Sequence, residues 1–149
     1  MILDMQTMFS GSTAADGSLT GQAITVTAAS TNILDTGVNK EKGRGTPIPL
    51  LVQVTTTFTA GGAATLQAVL QCDGDVAFGS ANTLWDSGAI AVATLVAGYR
   101  FLIDKIPEHV AAKADSRYFR FNYTVATGPM TAGNLVAGIV MGRQSIGFP

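Results

Sequence analysis

Apolar and polar residues alternate along much of this chain, and the alternation predicts short β-strands. The clearest case is Arg117–Val125, where Phe119, Phe121 and Tyr123 point one way and their more polar neighbours point the other. A second run, Leu135–Met141, follows a link that contains two glycines and a proline. Such a link is typical of a hairpin or of a connection that switches sheets.

Further segments carry strand-like patterns between turn residues. They are Gln22–Ala28, Asn32–Thr36, Leu50–Phe58, Thr65–Cys72, Thr83–Asp86, Ala89–Thr94 and Tyr99–Ile106. The glycine-rich sequence from Ala60 to Ala63 predicts a hairpin turn. The alanine-rich segment Ala89–Gly98 is helical on propensity alone, but the glycines that bracket it and its β-branched residues favour an edge strand.

Eight or nine short strands separated by turn signals predict an all-β protein with a single-domain β-sandwich or barrel. The pattern alone leaves jelly-roll and immunoglobulin-like topologies open. We expect the domain to span residues 22–149, preceded by an extended N-terminal arm over residues 1–21. In that arm, the apolar residues within Met1–Phe9 precede a flexible stretch rich in serine, glycine and threonine. We therefore predict that Met1–Phe9 binds a partner and does not join the β core.

Charged residues are scarce, and this limits the partners that fit. They make up 13% of the chain, about half the roughly 25% usual for soluble domains. A surface so short of charge is typical of one covered by neighbours or built from threonine and serine on strands. The net charge of −1 argues against a nucleic-acid partner. No signal peptide or apolar stretch of about 20 residues is visible, so we expect assembly in a cytoplasm and no membrane partner.

The residues needed for catalysis or metal binding are few. His109 is the single histidine, and its polar loop predicts a solvated side chain. Cys72 is the single cysteine, which excludes an internal disulfide and favours burial on a strand. Asp73 and Asp75 fit turn chemistry better than a calcium site. We expect no enzymatic activity, no cofactor and no metal.

Several short sequences occur in an order that resembles the capsid cement (head decoration) proteins of tailed bacteriophages. They are the opening MILD, ASTNILDTG at Ala29–Gly37, LVAGYRF at Leu95–Phe101 and NYTVATGPMTAG at Asn122–Gly133. The chain departs from that pattern in a longer stretch at Ser10–Gly21 and an insertion-like Pro107–Ser116. The resemblance implies a jelly-roll that binds the outer surface of the capsid and bridges subunits of the major capsid protein.

Two sets of contact residues follow from this interpretation. The candidate capsid contacts are Met1, Ile2, Leu3, Met5, Met8, Phe9, Lys40, Lys42 and Arg44. The candidate oligomer contacts are Val136 and Val140, because the last predicted strand is apolar on both faces. We expect a homo-oligomer, and a dimer is favoured over a trimer because two-fold pairing is the commonest closed arrangement.

A carbohydrate-binding, lectin-like jelly-roll on the virion surface is the alternative. It requires Trp85 or Tyr99 to be exposed beside an acid such as Asp86 or Asp104. Without that arrangement, the tryptophan is better explained by burial in the core or in an interface.

Overall fold

The computed structural model describes residues 3–38, 45–108 and 116–141. Nearly all regular structure in these ranges is β, and the exception is a 3₁₀ turn at Val92–Thr94. The strands are β1 (Leu3–Ser10), β2 (Ser12–Thr13), β3 (Leu19–Thr20), β4 (Gln22–Ala23), β5 (Ala28–Ala29), β6 (Leu34–Asp35), β7 (Leu50–Ala60), β8 (Thr65–Asp73), β9 (Asn82–Asp86), β10 (Ile90–Ala91), β11 (Tyr118–Ala126) and β12 (Met130–Val140).

Two antiparallel sheets face each other across one core. In the first sheet β12 is central, with β7 on one side and both β1 and β4 on the other. In the second sheet β8 pairs with β11, while β9 and β10 extend the β8 side and β5 and β6 extend the β11 side. The prediction of an all-β sandwich is confirmed, and the jelly-roll topology stays a prediction.

The core lies between the sheets and is filled by alternate residues of the long strands, as the pattern predicts. The inward residues are Leu50, Val52, Val54 and Phe58 of β7, Leu66, Ala68, Leu70 and Cys72 of β8, Phe119, Phe121 and Tyr123 of β11, and Leu135 and Ala137 of β12. Cys72 is fully buried on its strand, which confirms the prediction made for it.

The first strand is part of the sandwich, so the prediction that residues 1–9 stand apart from the β core is wrong for Leu3–Ser10. This strand pairs with β12, where Leu3 faces Val140 in the register. The Phe9 ring is fully buried and meets the Phe121 ring of the other sheet edge-on at 5.4 Å. The apolar run therefore completes a sheet edge of its own chain.

The two short connections between long strands both lead from one sheet to the other. The glycine-rich turn after β7 leads to β8 in the opposite sheet, so the predicted hairpin between these strands is wrong. The link through Gly128 and Pro129 likewise carries the chain from β11 to β12, which confirms the sheet-switching alternative. The long strands thus find their partners far along the sequence, β7 with β12 and β8 with β11.

Four predicted strands are less regular than the pattern suggests. Gln22–Ala28 is not one strand, because only Gln22–Ala23 pairs in the first sheet and Ala28 belongs to β5 of the second, and Asn32–Thr36 is reduced to Leu34–Asp35. Only Ile90–Ala91 of the alanine-rich segment is a strand, and it is an edge strand followed by the 3₁₀ turn. The segment Tyr99–Ile106 runs beside β7 through main-chain hydrogen bonds, such as the 3.0 Å bond from Phe101 N to Val52 O. A tight turn in which Ile103 N donates to Phe101 O at 2.8 Å interrupts it, because this bond turns the chain away from the strand direction.

Candidate functional site

A surface cleft lies where β9 meets the irregular segment beside β7. It encloses about 290 Å³ and is lined by Trp85, Asp86, Ser87, Ile90, Tyr99 and Leu102. The two aromatic residues lie 14 positions apart in the sequence and are both partly exposed. The carbohydrate alternative requires an exposed aromatic residue beside an acid, and the structure meets this in part, since both rings are partly exposed and Asp86 beside them is exposed.

The core holds both aromatic rings of the cleft. Trp85 lies edge-on to Phe101 and to Phe121, with ring centroids 6.5 Å apart in each pair. Tyr99 also meets Phe101 edge-on, at 5.4 Å. Because Phe101 is 1% exposed and supports both rings, the walls of the cleft are fixed from below. The prediction that Trp85 packs against the core is confirmed in part, because its side chain is partly buried there.

Asp86 places a fixed negative charge at the cleft. Gln67 Nε2 donates to both of its carboxylate oxygens, at 2.8 and 2.7 Å, and Gly88 N donates to Oδ1 at 2.8 Å. These hydrogen bonds, from Gln67 first and Gly88 second, hold the pKa of Asp86 below its usual value. The carboxylate is therefore oriented and ionised at neutral pH.

Ser87 and Leu102 have different roles in the cleft. The Ser87 hydroxyl donates to Gly88 O at 2.8 Å and accepts from Ala68 N at 2.9 Å, so it holds the local backbone. The Leu102 side chain is 92% exposed at the rim, at the centre of the tight turn between Phe101 and Ile103. Its neighbours on both sides are buried, which forces the leucine outward. Leu102 is not among the residues predicted from the sequence, although its place between two apolar residues in a strand-like pattern is a signal that it points outward.

The structure separates the predicted capsid contacts into three groups. Met8 and Phe9 are 2% and 0% exposed, so they lack the surface that a capsid contact needs. Leu3 is partly exposed and Met5 is 58% exposed, so both can meet a partner. Met1, Ile2, Lys40, Lys42 and Arg44 lie outside the described residues, as does His109.

The predicted oligomer contacts are covered by their own chain. Val136 and Val140 are 1% and 3% exposed. Met8 Cε and Val136 Cγ1 lie 3.0 and 3.2 Å from the position that a β-carbon would take at Gly11, so the chain after β1 folds over this face of β12. The apolar outer face of the strand therefore reflects packing within one chain, which corrects the expectation that this pair is exposed.

The acidic turn is a structural feature. Asp73 is buried and accepts from Asp75 N at 3.1 Å and from Ser80 N at 2.9 Å, while Asp75 accepts from Ala77 N at 2.9 Å. These bonds confirm the turn interpretation of this pair. In the described part of the chain, no three His, Cys, Asp or Glu side chains are grouped as metal ligands.

The family comparison covers most of the chain. The family model described as Bbp16 matches residues 19–139, and this match suggests a protein of phage or virion type. No curated protein sequence matches the chain. No helix in residues 3–38, 45–108 or 116–141 is long and apolar enough to cross a membrane.

Proposed function

We propose that this chain, which belongs to the Bbp16 family, is a capsid cement protein that binds the outer surface of a phage shell and joins neighbouring major capsid protein subunits. The ordered sequence resemblance to cement proteins carries the proposal, and the family match, which suggests a protein of phage or virion type, supports it. The protein would be assembled in the host cytoplasm and remain on the virion.

The surface chemistry of the first sheet suits such a role. Thr55, Thr57 and Thr59 of β7 are exposed, and Thr59 shares a 2.7 Å hydroxyl–hydroxyl hydrogen bond with exposed Thr131 of β12. This surface carries hydrogen-bonding groups without charge, so it can pack on a neighbour without repulsion. Each contact needs only modest affinity, because an ordered lattice presents many sites at once.

Two exposed methionines supply the apolar part of the capsid contact in this proposal. Met5 lies in β1 and is 58% exposed, while Met141 follows β12 and is 87% exposed. The register that pairs Leu3 with Val140 brings the two segments to the same end of the sheet. Flexible methionine side chains adapt well to a binding surface.

A homodimer is part of the same proposal, with a contact surface other than Val136 and Val140. A two-fold pair can present the same capsid-binding end twice, so one assembly bridges two shell subunits. Light scattering of the purified protein would measure its oligomeric state. A monomer both in solution and on the shell would refute the proposed homodimer.

The direct test is to assemble shells from the major capsid protein of the same genome and add the purified chain. We expect the chain to co-sediment with shells and to raise their resistance to heat and osmotic shock. The variant Met5→Asp/Met141→Asp should lower the occupancy, because it places two charges in an apolar contact. The matched control is Val76→Asp, which changes an exposed apolar residue (53%) of the turn after β8. A chain that leaves shells undecorated, or decorated shells that break at the same temperature as bare ones, would refute the cementing role.

A further inference from the structure

We propose that the cleft beside Trp85 is a carbohydrate-binding site, a function additional to cementing and independent of it. The cleft combines two partly exposed aromatic residues with an exposed, ionised carboxylate. This is the combination that a sugar ring needs, since the ring has apolar C–H faces and a rim of hydroxyl groups. Pockets that combine an apolar wall with a few convergent polar groups are the usual form of small-ligand sites.

The aromatic wall supplies the apolar contact. Trp85 and Tyr99 are both anchored edge-on to Phe101, so neither ring has to be ordered when a ligand arrives. The C–H face of a pyranose can then lie against a ring that is already fixed. Preorganisation of this kind lowers the entropic cost of binding.

The carboxylate of Asp86 supplies the polar contact. It is held by Gln67 and Gly88 and stays exposed at the edge of the cleft. A carboxylate oxygen has room for more than one hydrogen bond, and hydroxyl donors to an ionised acceptor form stronger bonds than neutral pairs do. Oδ1 already accepts from Gln67 and from Gly88, and Oδ2 accepts from Gln67, so Oδ2 has room for one sugar hydroxyl.

An apolar side chain is a poorer occupant of the cleft. A second copy of the chain could offer Leu102, which is 92% exposed at the rim. Covering the cleft with a leucine would remove water from Asp86 and give it no donor in return, which carries a desolvation cost. Sugar hydroxyls replace the lost water, and therefore the observations favour carbohydrate.

The size of the cleft limits the ligand and the affinity. Its volume of about 290 Å³ is just below the roughly 300–1,000 Å³ range of ligand pockets. We infer that it holds one sugar unit of a longer glycan. Weak binding at each copy becomes strong when many copies are displayed together, as on a decorated shell.

The experiment uses the purified full chain, both free and coupled densely to beads. The probes are bacterial lipopolysaccharide O-chains, capsular polysaccharides and neutral oligosaccharides, and binding found in this panel is then measured by calorimetry. The test variant is Asp86→Asn, because Trp85 supports the core and its replacement could unfold the chain. The matched control is Asp75→Asn, since Asp75 also accepts from a backbone N–H two residues later but lies outside the cleft.

We expect wild-type protein to bind at least one glycan class and Asp86→Asn to weaken that binding by about tenfold or more, as loss of a charge-assisted hydrogen bond implies. Asp75→Asn should bind as wild type does, and both variants should remain folded at the assay temperature and decorate shells at wild-type occupancy. Absence of glycan binding even on the dense beads would overturn the proposal. An equal loss of glycan affinity in the two variants would also overturn it. A dimer that Leu102→Asp dissociates, together with no glycan binding, would do the same. Shell decoration is read separately, so failure here leaves the cementing proposal standing.

Discussion

The side-chain hydroxyls of Ser10 and Tyr123 share a 2.7 Å hydrogen bond inside the core. Ser10 is the last residue of β1 in the first sheet, and Tyr123 belongs to β11 in the second. Both residues are fully buried. Burial raises the pKa of the Tyr123 hydroxyl, which therefore stays protonated at physiological pH. The bond links the first strand of the chain to the opposite sheet.

Removal of either hydroxyl should destabilise the fold. Tyr123→Phe and Ser10→Ala each leave one buried hydroxyl without its partner, at a cost of about 1–3 kcal/mol. The double variant should cost less than the sum of the two, because no orphaned group remains. Urea unfolding of the four proteins measures this coupling. Strictly additive losses would show that the bond contributes nothing specific.

The integration of β1 predicts a sharp contrast between two of its residues. Phe9→Ala should lower the free energy of unfolding by about 3–5 kcal/mol, because the ring is fully buried against Phe121. Met5→Ala should change stability by less than about 0.5 kcal/mol, since Met5 is largely exposed. Thermal melts of the two variants provide the measurement. Similar small losses in both would restore the interpretation of this segment as an arm.

Gly133 in β12 has no room for a side chain. Its φ is +142°, and the Phe58 ring occupies the position that a β-carbon would take. Gly133→Ala should therefore destabilise the protein by roughly 1–3 kcal/mol or more through strain and overpacking. Gly61→Ala is the control, because its β-carbon would meet nothing within 4 Å. Equal melting temperatures for the two variants would contradict this packing.

The ion pair between Asp35 and Arg117 predicts part of the acid response. The guanidinium donates to both carboxylate oxygens at 2.8 Å and lowers the pKa of Asp35 from 3.8 to about 2. A lowered folded-state pKa gives stability that is present above pH 4 and is lost as the pH falls towards 2.

Asp35→Asn should remove this contribution. The difference in melting temperature between wild type and variant should be largest above pH 4 and shrink between pH 4 and pH 2. Added salt should also reduce it, because both side chains are exposed. A difference that stays constant across this pH range would show that the pair does not contribute through its charge.

Local patterns predicted the strands well because burial on one face imposes a period of two, as in Phe119, Phe121 and Tyr123. They failed where the partner is distant in sequence. Nothing within the glycine-rich turn at residues 61–64 distinguishes a hairpin from a sheet switch, because the choice depends on β11 and β12.

For the candidate site, too, local sequence features were predictable and the long-range arrangement was not. The aromatic and acidic residues that a sugar cleft needs could be named from the sequence. That Trp85, Asp86 and Tyr99 lie together in one cleft could not be derived from it. Trp85 and Tyr99 are brought together by pairing of β9 with β8 and by the irregular segment beside β7. Likewise, Val136 was interpreted as exposed because an apolar outer face has no sequence mark that shows whether its own chain covers it.

The position of β12 at the centre of its sheet has a consequence for biosynthesis. This strand is the last of the described strands to be translated, yet β1, β4 and β7 all pair with it. Residue 140 must be translated before the first sheet can close. Until then β1, β4 and β7 have edges that are not paired with β12. The first sheet therefore forms only after β12 has been translated, and premature termination before β12 would yield a chain that aggregates instead of a shorter working protein.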